Sequence, residues 1–354
     1  MGKALFSVKD VDRHFYEERL KDFMPVEVVD FHTHVWRQEL AQPWGKARER
    51  TVTWPSRVAT ENPIEDLLET YRLMFPDKKV TPLIFTTLDM NMERANEYVS
   101  ECSRQHGCPA LIFSHPEWSG QELEKRIRVG EFLGAKSYLS LAPAYLPTGE
   151  IRVFDFFPHH QLEVLDENRW IMMLHIPRTL RLKDPVNLAQ LCEIDKRYPH
   201  LQMVVAHVGR AYCPEDVGDA FEVLKDTEHL VLDISANTNS WVFEQAIRAL
   251  GPSRILFGSD LPITRMRMRR ICRDGIYVNL VPRGMYGDVS GDKNMGEVDG
   301  EEAERLTFFL YEEIDAFRRA ADSCGLARED IQRVFCDNAR RTIHAAQSGT
   351  VAHA

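Results

Sequence analysis

Short apolar runs alternate with stretches of helical spacing along most of this chain. Residues 28–34 (VVDFHTH) read as a strand, a hydrophobic run opening into two histidines. Further strands are predicted at 81–86, 110–114, 136–141, 171–175, 202–207, 230–234 and 254–258. Between them, residues 62–73, 92–106, 121–132, 158–167, 185–197, 214–225 and 241–250 have the periodicity of amphipathic helices, and a long helix over 301–324 closes the series. Asn62-Pro63 reads as the start of its helix, Asn as cap and Pro in the first turn. Apolar strands alternating with helices imply a parallel sheet covered on its faces. Eight such units predict an α/β fold of the (β/α)8 TIM barrel type. An open doubly wound sheet would carry a Gly-rich phosphate loop after an early strand, and none occurs.

The remaining segments complete the outline. Residues 8–23 form an amphipathic helix ahead of the barrel. Residues 36–60, with Pro43, Trp44, Gly45, Trp54 and Pro55, read as loop, and 261–300 as a long irregular connection rich in Gly and Arg. The predicted organisation is an N-terminal helical extension at 1–25, a barrel at 26–345 and a frayed tail at 346–354.

Composition narrows the function classes. The 354 residues carry 44% hydrophobic and 28% charged side chains, an ordinary globular balance. A net charge of -10 without acidic blocks argues against a nucleic-acid surface. Seven Cys are scattered without a C-x-x-C pair, which predicts thiols in a reducing cytosol rather than disulfides or a cysteine zinc site. The N-terminus lacks the apolar core of a signal peptide, and no run reaches membrane-spanning length. The expectation is a soluble, cytoplasmic protein acting on a small molecule. Barrels of this size often pair, so a homodimer is compatible, though no interface signal is readable.

Candidate chemistry sits where a barrel would put it, at the C-terminal ends of the strands. His32 and His34, two apart on a strand, point the same way and can share a metal ion, with Asp30 deeper on the same face. The strands at 171–175 and 202–207 end in His175 and His207, and RILFGSD ends in Asp260. Four histidines and an aspartate at strand ends is a coincidence that scattered residues would rarely produce.

The set DFHTH, LHIP, AHVGR and FGSDLP, in that order, resembles the metal-dependent amidohydrolase superfamily. The branch it is most similar to includes carboxymuconate-semialdehyde decarboxylase-like enzymes. The closing VFCDNARR is similar to that branch's terminal helix. The resemblance implies metal ligation by His32, His34, His175 and Asp260, with His207 assisting the chemistry. Three imidazoles and one carboxylate suit Zn²⁺ or another borderline divalent ion such as Mn²⁺. An open position would let the metal acidify a water, with Asp260 as base and His207 polarising a carbonyl or stabilising an oxyanion.

Each residue has a plainer reading. His32 and His34 read also as polar strand ends, His175 as a satisfied core histidine, His207 as a second-metal ligand and Asp260 as a helix cap. Lys136 is the candidate for a carboxylated lysine bridging two metals, but it begins its predicted strand, which favours a structural or surface role and one metal. His115, Arg178 and Arg210 lie at the same rim as substrate contacts, the arginines for a carboxylate; a loop histidine and loop salt bridges are the alternatives. The run Met266–Arg270, with Arg265 and Arg273, reads as a solvated face. Trp36, Trp118 and Trp241 read as loop packing or as walls of an aromatic pocket. The expected function is metal-dependent hydrolysis of an amide, lactone or ester of a small, carboxylated molecule. The alternative is non-oxidative decarboxylation or hydration of an unsaturated or aromatic acid on the same site.

Overall fold

The computed structural model describes residues 5–42 and 54–351, so Pro43, Trp44 and Gly45 of the expected loop lie outside the described residues. Strands β1 (Glu27–His34) and β2 (Lys79–Phe85) pair in parallel. Six further strands, β3 (Ile112–Phe113), β4 (Gly134–Ser137), β5 (Ile171–Leu174), β6 (Gln202–Val205), β7 (Val231–Asp233) and β8 (Ile255–Leu256), form one parallel sheet in chain order. Backbone bonds also join the two groups. Leu111 N–H donates to Ile84 O at 3.0 Å, Phe31 N–H to Phe257 O at 3.0 Å, and His34 N–H to Leu261 O at 2.9 Å. The result is a mixed α/β fold with a six-stranded parallel sheet at its centre.

The strands are mostly apolar because they are covered on both faces, with polar residues concentrated toward their C-terminal ends. Every residue of β1 after Glu27 is buried, as are all four of β4 and of β5. The connecting helices start and stop where local chemistry dictates. Helix Met92–His106 begins at Asn91, whose side chain accepts from Arg94 N–H at 3.1 Å, and ends at left-handed Gly107. Helix Pro185–Arg197 begins at Asp184, which accepts from Val186 and Asn187 N–H. Among the described residues no helix is long and apolar enough to cross a membrane.

Several expectations are corrected. The fourth strand runs from Gly134 to Ser137, and 139–141 is a 3-10 turn rather than strand. Asn62 does not cap the next helix; its amide donates to His34 O at 2.7 Å, and the helix starts at Ile64 behind Pro63. Residues 214–225 hold a 3-10 turn and a short helix, Ala220–Leu224. The helix predicted over 301–324 is broken: Gly300–Glu304 is one turn, Leu306 is buried, and the long helix runs from Phe309 to Cys324. The tail is not frayed at 346, because a helix continues from Asn338 to Val351 and buries Ala346.

The largest departure lies at 261–300, which is not irregular. Strands β9 (Arg267–Arg273) and β10 (Ile276–Pro282) form an antiparallel hairpin, extended by β11 (Met295–Val298) and β12 (Thr307–Phe308). Its apolar face, with Met266, Met268, Val281 and Met295, packs on Trp54, Ala236 and Phe309 as a small second core. The arginine run is a solvated face only in part, since Arg269 and Arg273 are exposed. Arg267 is buried in a two-pronged pair with Asp12, at 2.8 Å to Oδ1 and 2.5 Å to Oδ2. Short-range alternation of apolar and basic residues hid a strand that is buried on both sides at its start, Arg267 and Met268, and exposed at Arg269, Cys272 and Arg273. Folding of the hairpin also brings Cys272 onto Cys213, 59 residues earlier, and the two form a disulfide. The expectation of thiols alone is therefore corrected; sequence spacing cannot reveal a pair that only tertiary folding brings together.

Candidate metal centre

Strand β1 delivers His32 and His34 to the C-terminal end of the sheet, and the segment after β8 delivers Asp260. The backbone ties them: Asp260 N–H donates to His32 O at 2.8 Å. Gly258 makes this approach possible, since a Cβ there would lie 2.7 Å from the His32 Cβ. Asp260 Oδ1 stands 3.1 Å from His34 Nε2 and 3.6 Å from His32 Nε2, all buried. Ligand atoms of His32, His34 and Asp260 lie within 4.8 Å of one another, and so do those of His32, His207 and Asp233.

His207 enters through a left-handed turn. Residues His207, Val208, Gly209 and Arg210 all have φ between 49° and 59°, a conformation that L side chains adopt at a cost. A Cβ on Gly209 would stand 2.4 Å from Leu182 Cδ1, so a side chain there would force Leu182 to move as well as straining the turn. The turn swings His207 over His32, with ring centroids 4.9 Å apart, and next to His175 at 5.3 Å. Asp260 is left-handed too, at φ 57°.

Hydrogen bonding fixes which nitrogen of each ring faces inward. His34 Nδ1 donates to Thr86 O at 2.9 Å, and a carbonyl can only accept. His32 Nδ1 lies 2.9 Å from the Asp233 carboxylate. His207 Nδ1 lies 3.0 Å from Ser235 O and 2.9 Å from Ser235 Oγ, whose own proton goes to Asp233. In each neutral ring the lone pair therefore sits on Nε2, turned toward the centre. Burial lowers the pKa of His34, that of His207 to about 4, and that of His175 well below its ordinary value. Burial alone would raise Asp233 and Asp260. The neighbouring histidines outweigh it and hold both below the usual carboxylate range. The His34 lone pair thus faces the Asp260 carboxylate at 3.1 Å, with that of His32 at 3.6 Å, an arrangement that a shared cation relieves. His175 adds a buried Nδ1 without a hydrogen-bond partner among the described residues.

The other expected site residues make local contacts. Arg178 Nε is 2.9 Å from Asp184, a pair between neighbouring loop positions. Arg210 donates to the carbonyls of Ile176 and Pro177 at 3.3 and 3.4 Å. His115 accepts from Glu117 N–H at 3.2 Å within its own loop. Trp36 is buried on Thr60 O and Trp118 stacks on Arg126, both as loop packing, while Trp241 is exposed.

Lys136 is a correction. With β4 shifted toward the N-terminus, Lys136 is its penultimate residue and is buried, not at the surface. Its Nζ lies 4.7 Å from the Tyr138 ring centroid and has no hydrogen-bond partner among the described residues. Burial pulls it down to about 8, against the attraction of Asp233 and Asp260. The positional objection to Lys136 as a site residue no longer holds.

Asp233, Ser235 and Glu313 have no counterpart in the sequence reading. Asp233 carried the same signal as His175, a polar residue closing an apolar run. Glu313 reaches in from helix Phe309–Cys324 to accept from Ala236 N–H at 2.7 Å, and burial raises its pKa well above the ordinary value.

Comparison with solved structures agrees with this architecture. A 4-oxalomesaconate hydratase from Rhodopseudomonas palustris superposes with a TM-score of 0.54 at 15% identity, covering 92% of this chain and 98% of that one. A probable 2-pyrone-4,6-dicarboxylic acid hydrolase from Acinetobacter baumannii, with citric acid bound, gives 0.52 at 13%, covering 90% and 99%. A dihydroxybenzoic acid decarboxylase from a Polaromonas species, with bound manganese and 2-nitroresorcinol, gives 0.53 at 14%, covering 90% and 97%. No curated protein matches the chain. The amidohydrolase family model matches residues 29–344, nearly the whole of the parallel-strand region and its closing helix. The chain belongs to the amidohydrolase family.

Proposed function

We propose that this protein is a divalent-metal-dependent hydrolase of small, carboxylated molecules. Its frame is a (β/α)8 barrel, a reading supported by the backbone bonds from β1 to the segment around β8 and from β2 to the segment before β3. One observation carries the proposal: His32 and His34 each have Nδ1 pinned outward, so two Nε2 lone pairs converge on Asp260 Oδ1. His32, His34, His175 and Asp260 would hold the cation, a nitrogen/oxygen set suited to Zn²⁺ or Mn²⁺. Bound there, the cation supplies Lewis-acid activation of a water and of the scissile carbonyl.

The chain's own groups handle the protons. Asp260, kept ionised, takes the proton of the attacking water and returns it to the leaving group. Because Nε2 of neutral His207 is the lone-pair atom, His207 can donate to an oxyanion only after drawing a proton from solvent, separate from the one Asp260 carries. A second reading, decarboxylation or hydration of an unsaturated or aromatic acid, is favoured by the hydratase and decarboxylase among the similar structures. There Asp260 or His207 would protonate carbon. Mass analysis of the organic product after turnover in ¹⁸O-labelled water separates them: hydrolysis cleaves the substrate and labels the new carboxylate, hydration adds a labelled hydroxyl without cleavage, and decarboxylation leaves an unlabelled organic product one CO₂ lighter.

Elemental analysis of the purified protein tests the common core. About one equivalent of divalent metal per chain is expected, lost in His32→Ala and Asp260→Asn. Unchanged metal content in both variants overturns the proposal.

A further inference from the structure

Beside the histidine cluster, three guanidiniums gather around two tyrosines in edge-to-face contact. Tyr212 and Tyr277 meet edge to face at 4.9 Å. Arg181 lies 5.2 Å from each ring, and Arg270 lies 4.8 Å from Tyr212 and 4.4 Å from Tyr277. Arg210 leaves the same turn as His207, three residues on. Arg270 reaches the cluster from β9, where alternation sets it on the Met268 face, and donates to Ala236 O at 2.6 Å. Ala236 adjoins Ser235, the residue that holds the His207 ring. The disulfide between Cys213 and Cys272 ties together the two segments that carry Arg210 and Arg270.

Charge in this region is unbalanced. Arg181 pairs with Asp216 at 2.6 Å. Arg270 donates otherwise only to the Asn279 side chain, at 2.8 Å, and Arg210 only to carbonyls. Neither forms an ion pair among the described residues. Glu313 accepts from Ala236 N–H and makes no ion pair with Arg270. Buried positive charge without a partner is costly, and an arginine fork matches a carboxylate.

We propose that Arg210 and Arg270 form a second anion subsite that binds a carboxylate remote from the reacting bond, so that the substrate is a small di- or polycarboxylate. This rests on the reading of the imidazole–Asp260 cluster as the reacting centre. The hairpin is then a specificity element: it brings Arg270 over the strand ends and closes the subsite with Tyr277. Arg178, already paired with Asp184, takes no part.

The test uses the metal-loaded protein and thermal-shift titration with two probe series. One is the straight-chain dicarboxylates from malonate to adipate with the three benzenedicarboxylates; the other is the matching monocarboxylates. At least one dicarboxylate should bind about tenfold or more tighter than its monoacid, and Arg270→Met and Arg210→Met should each remove that gap. Both variants should retain metal and monoacid binding. If no dicarboxylate exceeds its monoacid, or the gap survives in both variants, the subsite is overturned. Failure of the underlying reading looks different, because His32→Ala would then leave metal content unchanged.

Discussion

At the scale of single residues, the site depends on which nitrogen each imidazole turns inward. Asp233 is the clearest case, since one of its oxygens takes His32 Nδ1 and the other takes the His207 and Ser235 backbone N–H groups. Asp233→Asn would keep the shape, but whichever way the amide turns, its NH₂ faces a donor. His32 is then pressed into the other tautomer, and its lone pair leaves the centre. Metal affinity in chelator competition should fall by roughly tenfold to a hundredfold with circular dichroism unchanged; an unaltered affinity would show that Asp233 does not orient His32. His32, His34, His175, His207 and Asp260 were legible one by one, because each ends an apolar run. Asp233 gave the same signal, but Asp is so common at strand ends that the pattern alone did not single it out. Lys136 was misplaced by a strand register two residues out, enough to move a buried amine to the wrong end of its strand.

At the scale of elements, the β/α alternation follows from hydrophobic period, caps and glycines, and helices such as Met92–His106 and Pro185–Arg197 lie where the sequence put them. The hairpin β9–β10 was hidden because charged and apolar residues alternate within it. Such a pattern describes a strand with one wet face, yet here Arg267 is buried on that side against Asp12 and Thr307. The helical segment at Asp10–Phe15 is thereby pinned to the element above the strand ends. Arg267→Met would leave the Asp12 carboxylate buried without its partner, a change that typically costs about 3–5 kcal/mol. A clear fall in melting temperature is expected, with most of it recovered in the Asp12→Asn/Arg267→Met double variant. Additive losses would show that the two do not act as a pair.

At the scale of the whole molecule, helix Phe309–Cys324 links the core to the site through Glu313. Burial raises the folded-state pKa of Glu313 well above that of the unfolded chain. The folded protein therefore keeps a proton that the unfolded chain releases as pH rises through the ordinary carboxylate range. Its contribution to stability declines from there toward neutral pH. Glu313→Gln removes the titration, so unfolding free energy at neutral pH should gain relative to wild type, with the difference shrinking toward pH 4. A constant difference across that range would mean that Glu313 is ionised in the fold.

By itself, the sequence determined the α/β class, the order of its elements and the strand ends that carry His32, His34, His175, His207 and Asp260. Those features are local, fixed by hydrophobic period and by polar residues that stop it. Tertiary structure alone decided that Asp233 faces two histidines, that Lys136 is buried beside them, and that Cys272 and Arg270 fold back onto the turn after β6. Each of these joins residues tens of positions apart, and side-chain direction across such gaps is set by packing, which no local pattern records.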